Sequence, residues 1–206
     1  MSNDYLQNIN VKETNELLVS LRSFALEHKV PIITEEGINF INQIIKLKNI
    51  QTVLEIGTAI AYSSINMALK NNCSITTIER DIDMYKLAKD NVIKASLENQ
   101  IRIINDDALL VNEHDLGTFD LLFIDAAKSQ SIKFFEKYKK NLNPNGVIIT
   151  DNLLFHDLVT AEIKDRNLRQ LVSKIDKFNK FVVAQEDFNT YLYNLGDGMS
   201  LSIKKD

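Results

Sequence analysis

One segment of the chain constrains the fold more than any other. The apolar run at residues 53–56 predicts a buried strand, Gly57 opens a tight turn, and a helix is expected to begin near Ser63. A second apolar run, residues 75–79, predicts the next strand and ends in Glu79. A strand, a glycine turn, a helix and an acid-ended strand together form the nucleotide-binding half of a doubly wound sheet.

The spacing within this segment indicates the kind of cofactor. Glu79 lies about 20 residues beyond Gly57, where a carboxylate can accept hydrogen bonds from a ribose. A dinucleotide site needs a second glycine two residues after the first, but Ala59 occupies that position. We therefore expect a nucleoside cofactor without phosphates, of which S-adenosylmethionine is the common example. The alternative is an ordinary strand–turn–helix corner.

Apolar periodicity predicts an α/β fold. Two N-terminal helices are expected over residues 11–29 and 34–48. Alternating elements follow, with strands at 52–56, 74–79, 101–105, 121–125 and 147–150, and helices at 63–70, 82–96, 129–141 and about 164–180. Runs at 190–195 and 199–203, joined by Gly196 and Gly198, predict an antiparallel hairpin that completes a mostly parallel sheet.

Length and composition narrow the class of protein. The 206 residues predict one domain, with a helical N-terminal part over residues 1–50. The net charge of −4 argues mildly against nucleic-acid binding by bulk electrostatics. A single cysteine, a polar N-terminus and the lack of a long apolar run predict a cytoplasmic protein without a membrane anchor.

Polar side chains follow two of the expected strands, at the edge of the sheet where ligands bind. Asp125 ends the fourth strand, and Asp151 and Asn152 follow the fifth. Two carboxylates and an amide oxygen suit a hard octahedral cation such as Mg²⁺. The alternative is that Asp151 and Asn152 only cap the next helix.

Lysines and arginines offer two kinds of role. Lys128 follows Asp125 closely, and a nearby cation would favour its neutral form, which could act as a general base; the alternative is a surface lysine. His156 is close enough to Asn152 to line a substrate mouth. Other cations form local patches that could bind phosphates or merely solvate helix faces: Lys133, Lys137, Lys139, Lys140, Arg166, Arg169, Lys174, Lys177, Lys180, Lys204 and Lys205.

Three motifs resemble those of the cation-dependent class I O-methyltransferases, which include catechol and caffeoyl-CoA O-methyltransferases. They are residues 55–63 (EIGTAIAYS), 124–128 (IDAAK) and 146–152 (GVIITDN). Further segments are similar to the bacterial branch that methylates 5-hydroxyuridine at the tRNA wobble position. They are residues 30–33, 174–179 and 196–205. The resemblance covers nearly the whole chain.

This resemblance implies a Rossmann-like seven-stranded fold, a homodimer and methyl transfer from S-adenosylmethionine. It implies Lys128 and Asp125 as catalytic residues, and Asp125, Asp151 and Asn152 as metal ligands. For the cofactor it implies Glu79 at the ribose, Gly57 and Ser63 at the methionine end, and further contacts from Ile33, Asp107, Ala108 and Asp125, with Asp107 and Ala108 reaching the adenine. Ala61 stands where the family usually has glycine, and we expect it to be tolerated unless its φ is positive.

The acceptor remains open between two chemistries. Catechol presents two neighbouring hydroxyls, and 5-hydroxyuridine presents a hydroxyl beside a carbonyl oxygen. Both fit one metal chelate, so the active-site residues favour neither tRNA nor a small catechol-like metabolite. A third reading, a nucleoside-binding module without catalysis, leaves Lys128 and the expected metal ligands without a purpose.

Overall fold

The computed structural model describes residues 5, 8–155, 158–160 and 163–205. Within them, seven strands form one sheet. The strands are β1 (Thr52–Ile56), β2 (Ser74–Glu79), β3 (Ile101–Asn105), β4 (Phe119–Ile124), β5 (Leu142–Asp151), β6 (Phe188–Tyr193) and β7 (Met199–Lys204). The principal helices are α1 (Glu16–His28), α2 (Glu35–Lys48), α3 (Tyr62–Asn71), α4 (Ile82–Lys94), α5 (Ser131–Tyr138) and α6 (Arg166–Val183).

The strand order is β3-β2-β1-β4-β5-β7-β6. Strands β1 to β5 pair in parallel, and β7 pairs antiparallel with both β5 and β6. The predicted Rossmann-like sheet with a C-terminal antiparallel pair is therefore confirmed. The chain moves outward from β1 to β3 and then returns to place β4 on the other side of β1. This reversal creates a crevice at the carboxyl ends of β1 and β4, where ligands bind in such sheets.

Two apolar clusters cover the two faces of the sheet. Along β1, Val53 belongs to the cluster that includes α1, α2 and α3, whereas Leu54 and Ile56 belong to the cluster that includes α5 and α6. Fully burying each such side chain contributes roughly 1.5–3 kcal/mol. This packing holds the carboxyl ends of the strands in register. Among the described residues, no helix is long and apolar enough to cross a membrane.

Several predicted boundaries were wrong for local reasons. Helix α1 begins at Glu16 rather than near residue 11, because the Asn15 side chain accepts hydrogen bonds from the backbone N–H groups of Leu17 and Leu18. The helix predicted over residues 129–141 is three pieces, since 3₁₀ turns at Lys128–Gln130 and Lys139–Asn141 flank α5.

The last strands also differ from the prediction. Strand β5 begins at Leu142 rather than at residue 147, and its pairing with β4 shifts register between Phe119 and Leu121. Because this stretch contains a proline and a glycine, its apolar pattern does not indicate a strand. Strand β6 covers Phe188–Tyr193 rather than 190–195. The remaining helix ends differ by a few residues, and β4 stops one residue before Asp125.

Candidate active site

A cavity of about 550 Å³ opens at the carboxyl ends of β1, β2 and β4. It brings together every residue that was predicted to contact the cofactor. These residues are Ile33, Gly57, Ser63, Glu79, Asp107, Ala108 and Asp125. Lys128 and Asn152 line the same cavity, whereas Asp151 lies in a recess that shares Lys128 and Asn152 with it. The individual roles of these residues stay predictions.

The turn after β1 packs backbone against backbone. Gly57 has a φ of 101°, and a Cβ there would lie 2.2 Å from the Asp125 carbonyl oxygen, so no side chain fits. Ala59 and Ala61 also have positive φ, at 46° and 64°. We expected Ala61 to be tolerated unless its φ is positive, and its φ is positive, so alanine is strained at this position. Its buried methyl group packs in the core and does not line the cavity.

Glu79 is held rigidly at the cavity wall. One carboxylate oxygen accepts from the Ala59 backbone N–H at 2.8 Å, and the other accepts from the Asp81 N–H at 2.8 Å. Each oxygen retains a further acceptor site. The carboxylate is thus oriented by the turn itself and remains able to accept hydrogen bonds from a ribose.

Glu55 is a polar centre that the sequence reasoning did not assign, although it lies within the first motif. It is fully buried, and its carboxylate accepts hydrogen bonds from the hydroxyls of Ser63, Ser64 and Thr77. Burial raises the pKa of Glu55 to about 7 against the opposing effect of these donors, and the charge of Asp125 adds to the rise. Ser63 lines the cavity, and its hydroxyl is bonded to Glu55. The sequence signal that could have identified Glu55 was the presence of an acid within an otherwise apolar strand.

The predicted metal ligands converge. Asp125 Oδ1 lies 2.9 Å from Asn152 Nδ2 and 3.3 Å from Lys128 Nζ. Asp151 Oδ1 accepts from the Asn152 backbone N–H at 2.8 Å. Burial and then the charge of Asp125 raise the pKa of Asp151. Asp165, rather than Asp151 or Asn152, caps α6.

These groups fit a hard divalent cation. Burial beside Asp125 disfavours the Asp151 carboxylate, and a bound cation would offset that repulsion. Within the described part of the chain, no three Asp, Glu, His or Cys side chains form a metal cluster, so the site depends on the Asn152 amide. Rotating that amide would present its oxygen. His156 lies outside the described residues.

The lysines at the end of α5 are engaged within the protein, whereas Lys133 is exposed. Lys137 donates to the Leu109 and Val111 carbonyl oxygens, and Lys140 pairs with Glu113. Lys137 is therefore not part of a free phosphate-binding face. On α6, by contrast, the predicted cations are exposed: Arg166, Arg169, Lys174, Lys177 and Lys180.

Comparison with known proteins identifies the family. The family model for O-methyltransferases matches residues 7–205. A Staphylococcus aureus structure, provisionally assigned as a caffeoyl-CoA O-methyltransferase, has a TM-score of 0.93 and 38% identity, covering 99% of each chain.

Two further proteins are similar over most of their length. The catechol O-methyltransferase of Niastella koreensis is 29% identical over 215 residues, which cover 98% of this chain and 95% of that protein. The Bacillus cereus O-methyltransferase in complex with SAH shares the fold, with a TM-score of 0.82 and 22% identity over 98% of this chain and 96% of that one. The chain belongs to the O-methyltransferase family and is an S-adenosylmethionine-dependent O-methyltransferase of the caffeoyl-CoA and catechol type.

Proposed function

We propose that a divalent cation assists this methyl transfer and that the acceptor is 5-hydroxyuridine at the wobble position of tRNA. The observation that carries the proposed chemistry is the convergence of Asp125, Asn152 and Lys128 at the edge of the cofactor cavity. Asp151 lies in a recess that shares Lys128 and Asn152 with this cavity. Membership of the O-methyltransferase family argues against the alternative, a nucleoside-binding module without catalysis.

Each group has a distinct proposed task. Asp125, Asp151 and Asn152 hold the cation, which would be Mg²⁺. When bound, this cation supplies Lewis-acid stabilisation of negative charge on the acceptor oxygens. Lys128 takes the proton from the acceptor hydroxyl. The cavity residues hold the cofactor so that its methyl group faces the acceptor, and this proximity supplies much of the rate.

The cofactor roles follow the cavity wall. Glu79 accepts hydrogen bonds from the ribose, Gly57 and Ser63 contact the methionine end, and Ile33 lines the pocket. Asp107 and Ala108 meet the adenine. Their common support is that all of them line one cavity at the switch point of the sheet.

The position of α6 supports a tRNA acceptor. Its inner residues Ile175 and Phe178 line a recess shared with Lys128, Asp151 and Asn152. The exposed cations of α6 are therefore carried by the helix that backs the proposed metal site. Such a surface could bind phosphates close to the methylated base despite the net charge of −4.

A small catechol-like acceptor is the rival, and the similarity to a catechol O-methyltransferase favours it. Mass spectrometry of tRNA nucleosides from a deletion strain separates the two. We expect 5-methoxyuridine to disappear and 5-hydroxyuridine to accumulate, with recovery by the wild-type gene but not by Asp151→Asn. An unchanged nucleoside profile would reject the tRNA acceptor and leave the catechol-like one.

The remaining proposals concern the whole protein. We propose one methyltransferase domain over residues 1–206, a homodimer and a cytoplasmic location. Sedimentation equilibrium tests the dimer directly, since a monomer at micromolar concentration would exclude it.

A further inference from the structure

Helix α5 holds one wall of the cofactor cavity from behind. Residues 106–109 line the cavity. The Tyr138 hydroxyl, at the end of α5, donates a hydrogen bond to the Ala108 carbonyl oxygen, and Tyr138 is fully buried. Burial, followed by the charges of nearby carboxylates, raises the pKa of Tyr138 above its usual range. The hydroxyl therefore stays protonated and remains a donor.

Lys137 holds the next part of the same loop. Its ammonium donates to the Leu109 carbonyl oxygen at 2.7 Å and to the Val111 carbonyl oxygen at 2.5 Å. Its side chain is only 16% exposed, and its Nζ lies 3.8 Å from a Glu113 carboxylate oxygen. Hydrogen bonds from a charged donor are stronger than neutral ones, particularly where water is excluded.

These contacts fix the orientation of one peptide group. The Ala108 carbonyl oxygen is bonded to Tyr138, and the Leu109 N–H on the same peptide plane donates to Asp107 Oδ1 at 2.8 Å. Rotation of this peptide would therefore move both the Asp107 carboxylate and the backbone of Ala108. Tyr138 and Lys137 do not themselves line the cavity.

We propose that Tyr138 and Lys137 are positioning residues for the adenine of the cofactor. They hold the loop so that Asp107 and Ala108 meet the edge of the base. The inference rests on the proposed placement of adenine beside these two loop residues. A carboxylate accepts from the exocyclic amino group of adenine, whereas hypoxanthine carries an oxygen at that position and offers no such donor.

The test compares the binding of two ligands by calorimetry, without turnover. They are S-adenosylhomocysteine and S-inosylhomocysteine, in which hypoxanthine replaces adenine. Tyr138→Phe should raise the Kd for S-adenosylhomocysteine about three- to tenfold. The Kd for the inosine analogue should change much less, so the preference for adenine should shrink. Lys137→Met should act in the same direction.

Kinetics supply a second readout. Because neither residue touches the reacting atoms, the KM for S-adenosylmethionine should rise while kcat at saturating cofactor stays near the wild-type value. Tyr191→Phe, at an exposed position on β6, is the matched hydroxyl deletion and should change neither ligand's Kd.

Two results would overturn the proposal. A purely structural role would lower the melting temperature of Tyr138→Phe and Lys137→Met and leave the preference for adenine intact. The Asp107→Ala variant tests the underlying placement: an unchanged preference there would overturn the adenine site and the positioning role with it. If Asp107→Ala loses the preference for adenine but Tyr138→Phe and Lys137→Met keep it, only the positioning role would be overturned. If Tyr138→Phe does not fold, Lys137→Met carries the test.

Discussion

Backbone strain at single residues shapes the turn after β1. Gly57 is required because its backbone lies against the Asp125 carbonyl group. Ala59 and Ala61 adopt left-handed conformations that disfavour side chains by roughly 1–2 kcal/mol each. In return, the Ala59 N–H is directed at Glu79. The strained backbone of this turn thus lowers stability somewhat, and it orients the carboxylate that we propose binds the ribose.

The proposed metal site yields a prediction at the same scale. Asp151→Asn keeps the side-chain volume and removes one charged ligand. Turnover should fall by roughly 100-fold or more, because altering even the supporting residues of metal sites costs 10–100-fold. The Kd for S-adenosylmethionine should stay within about twofold, since Asp151 does not line the cofactor cavity.

Steady-state kinetics and calorimetry measure the two quantities. EDTA should reproduce the loss of turnover in the wild type, and added Mg²⁺ should reverse it. The control Asp83→Asn removes an exposed carboxylate from α4 and should leave both quantities unchanged. Full turnover in the presence of chelator would contradict the metal assignment.

At the scale of elements, the lysines of α5 and the cations of α6 differ in what surrounds them. The lysines at the end of α5 bind carbonyl oxygens and carboxylates of the protein itself. The cations of α6 are exposed, while its apolar face packs behind the proposed metal site. Similar charge patterns in the sequence therefore have different consequences. The lysines at the end of α5 find acceptors in the adjacent segment 109–113.

Charge reversal on α6 tests the tRNA proposal. Lys174→Glu combined with Lys177→Glu should raise the KM for tRNA about tenfold or more, and should flatten its salt dependence, because lost phosphate contacts release fewer counterions. Methylation of a free catechol should be unaffected. Arg169 is less suitable, since its guanidinium donates to the carbonyl oxygens of Ile163 and Lys164.

The charge-matched control is Lys89→Glu combined with Lys94→Glu, at exposed positions on α4. Both double variants change the net charge equally, so bulk repulsion of tRNA is the same in each. Equal effects on the KM for tRNA would contradict a specific role for α6.

At the scale of the whole molecule, Glu55 links global stability to pH. Its pKa rises from 4.5 to about 7 on folding, so the folded state binds this proton more tightly. The resulting stabilisation is fully present below pH 4.5 and is lost as pH rises through 7. The difference amounts to about 3 kcal/mol in the free energy of unfolding.

Glu55→Gln isolates this effect, because glutamine does not ionise. The unfolding free energy of the variant minus that of the wild type should increase between pH 4.5 and 7 and then level off. Denaturant titrations at a series of pH values measure it. A flat difference for Glu55→Gln would contradict burial of the ionised carboxylate.

Local patterns were sufficient for the architecture. The alternation of apolar runs, the Gly57 turn and the C-terminal glycines indicated the parallel sheet and its antiparallel pair, because each of these signals lies within a short stretch of sequence. Asp125 and Asp151, at the carboxyl ends of β4 and β5, were also placed correctly at one edge of the sheet, since parallel strands end on the same side. Boundaries failed where a side-chain cap or a register shift decided them, as at Asn15 and Leu142.

Tertiary packing alone decided which distant groups meet. Tyr138 reaches the Ala108 carbonyl group across 30 positions of sequence, and Glu55 gathers hydroxyls from α3 and β2. Neither pairing has a periodic signal, because side-chain contacts between elements depend on register, helix rotation and loop path. Residue types and their order therefore indicated a methyltransferase site, while the packing of the sheet and helices arranged its supports.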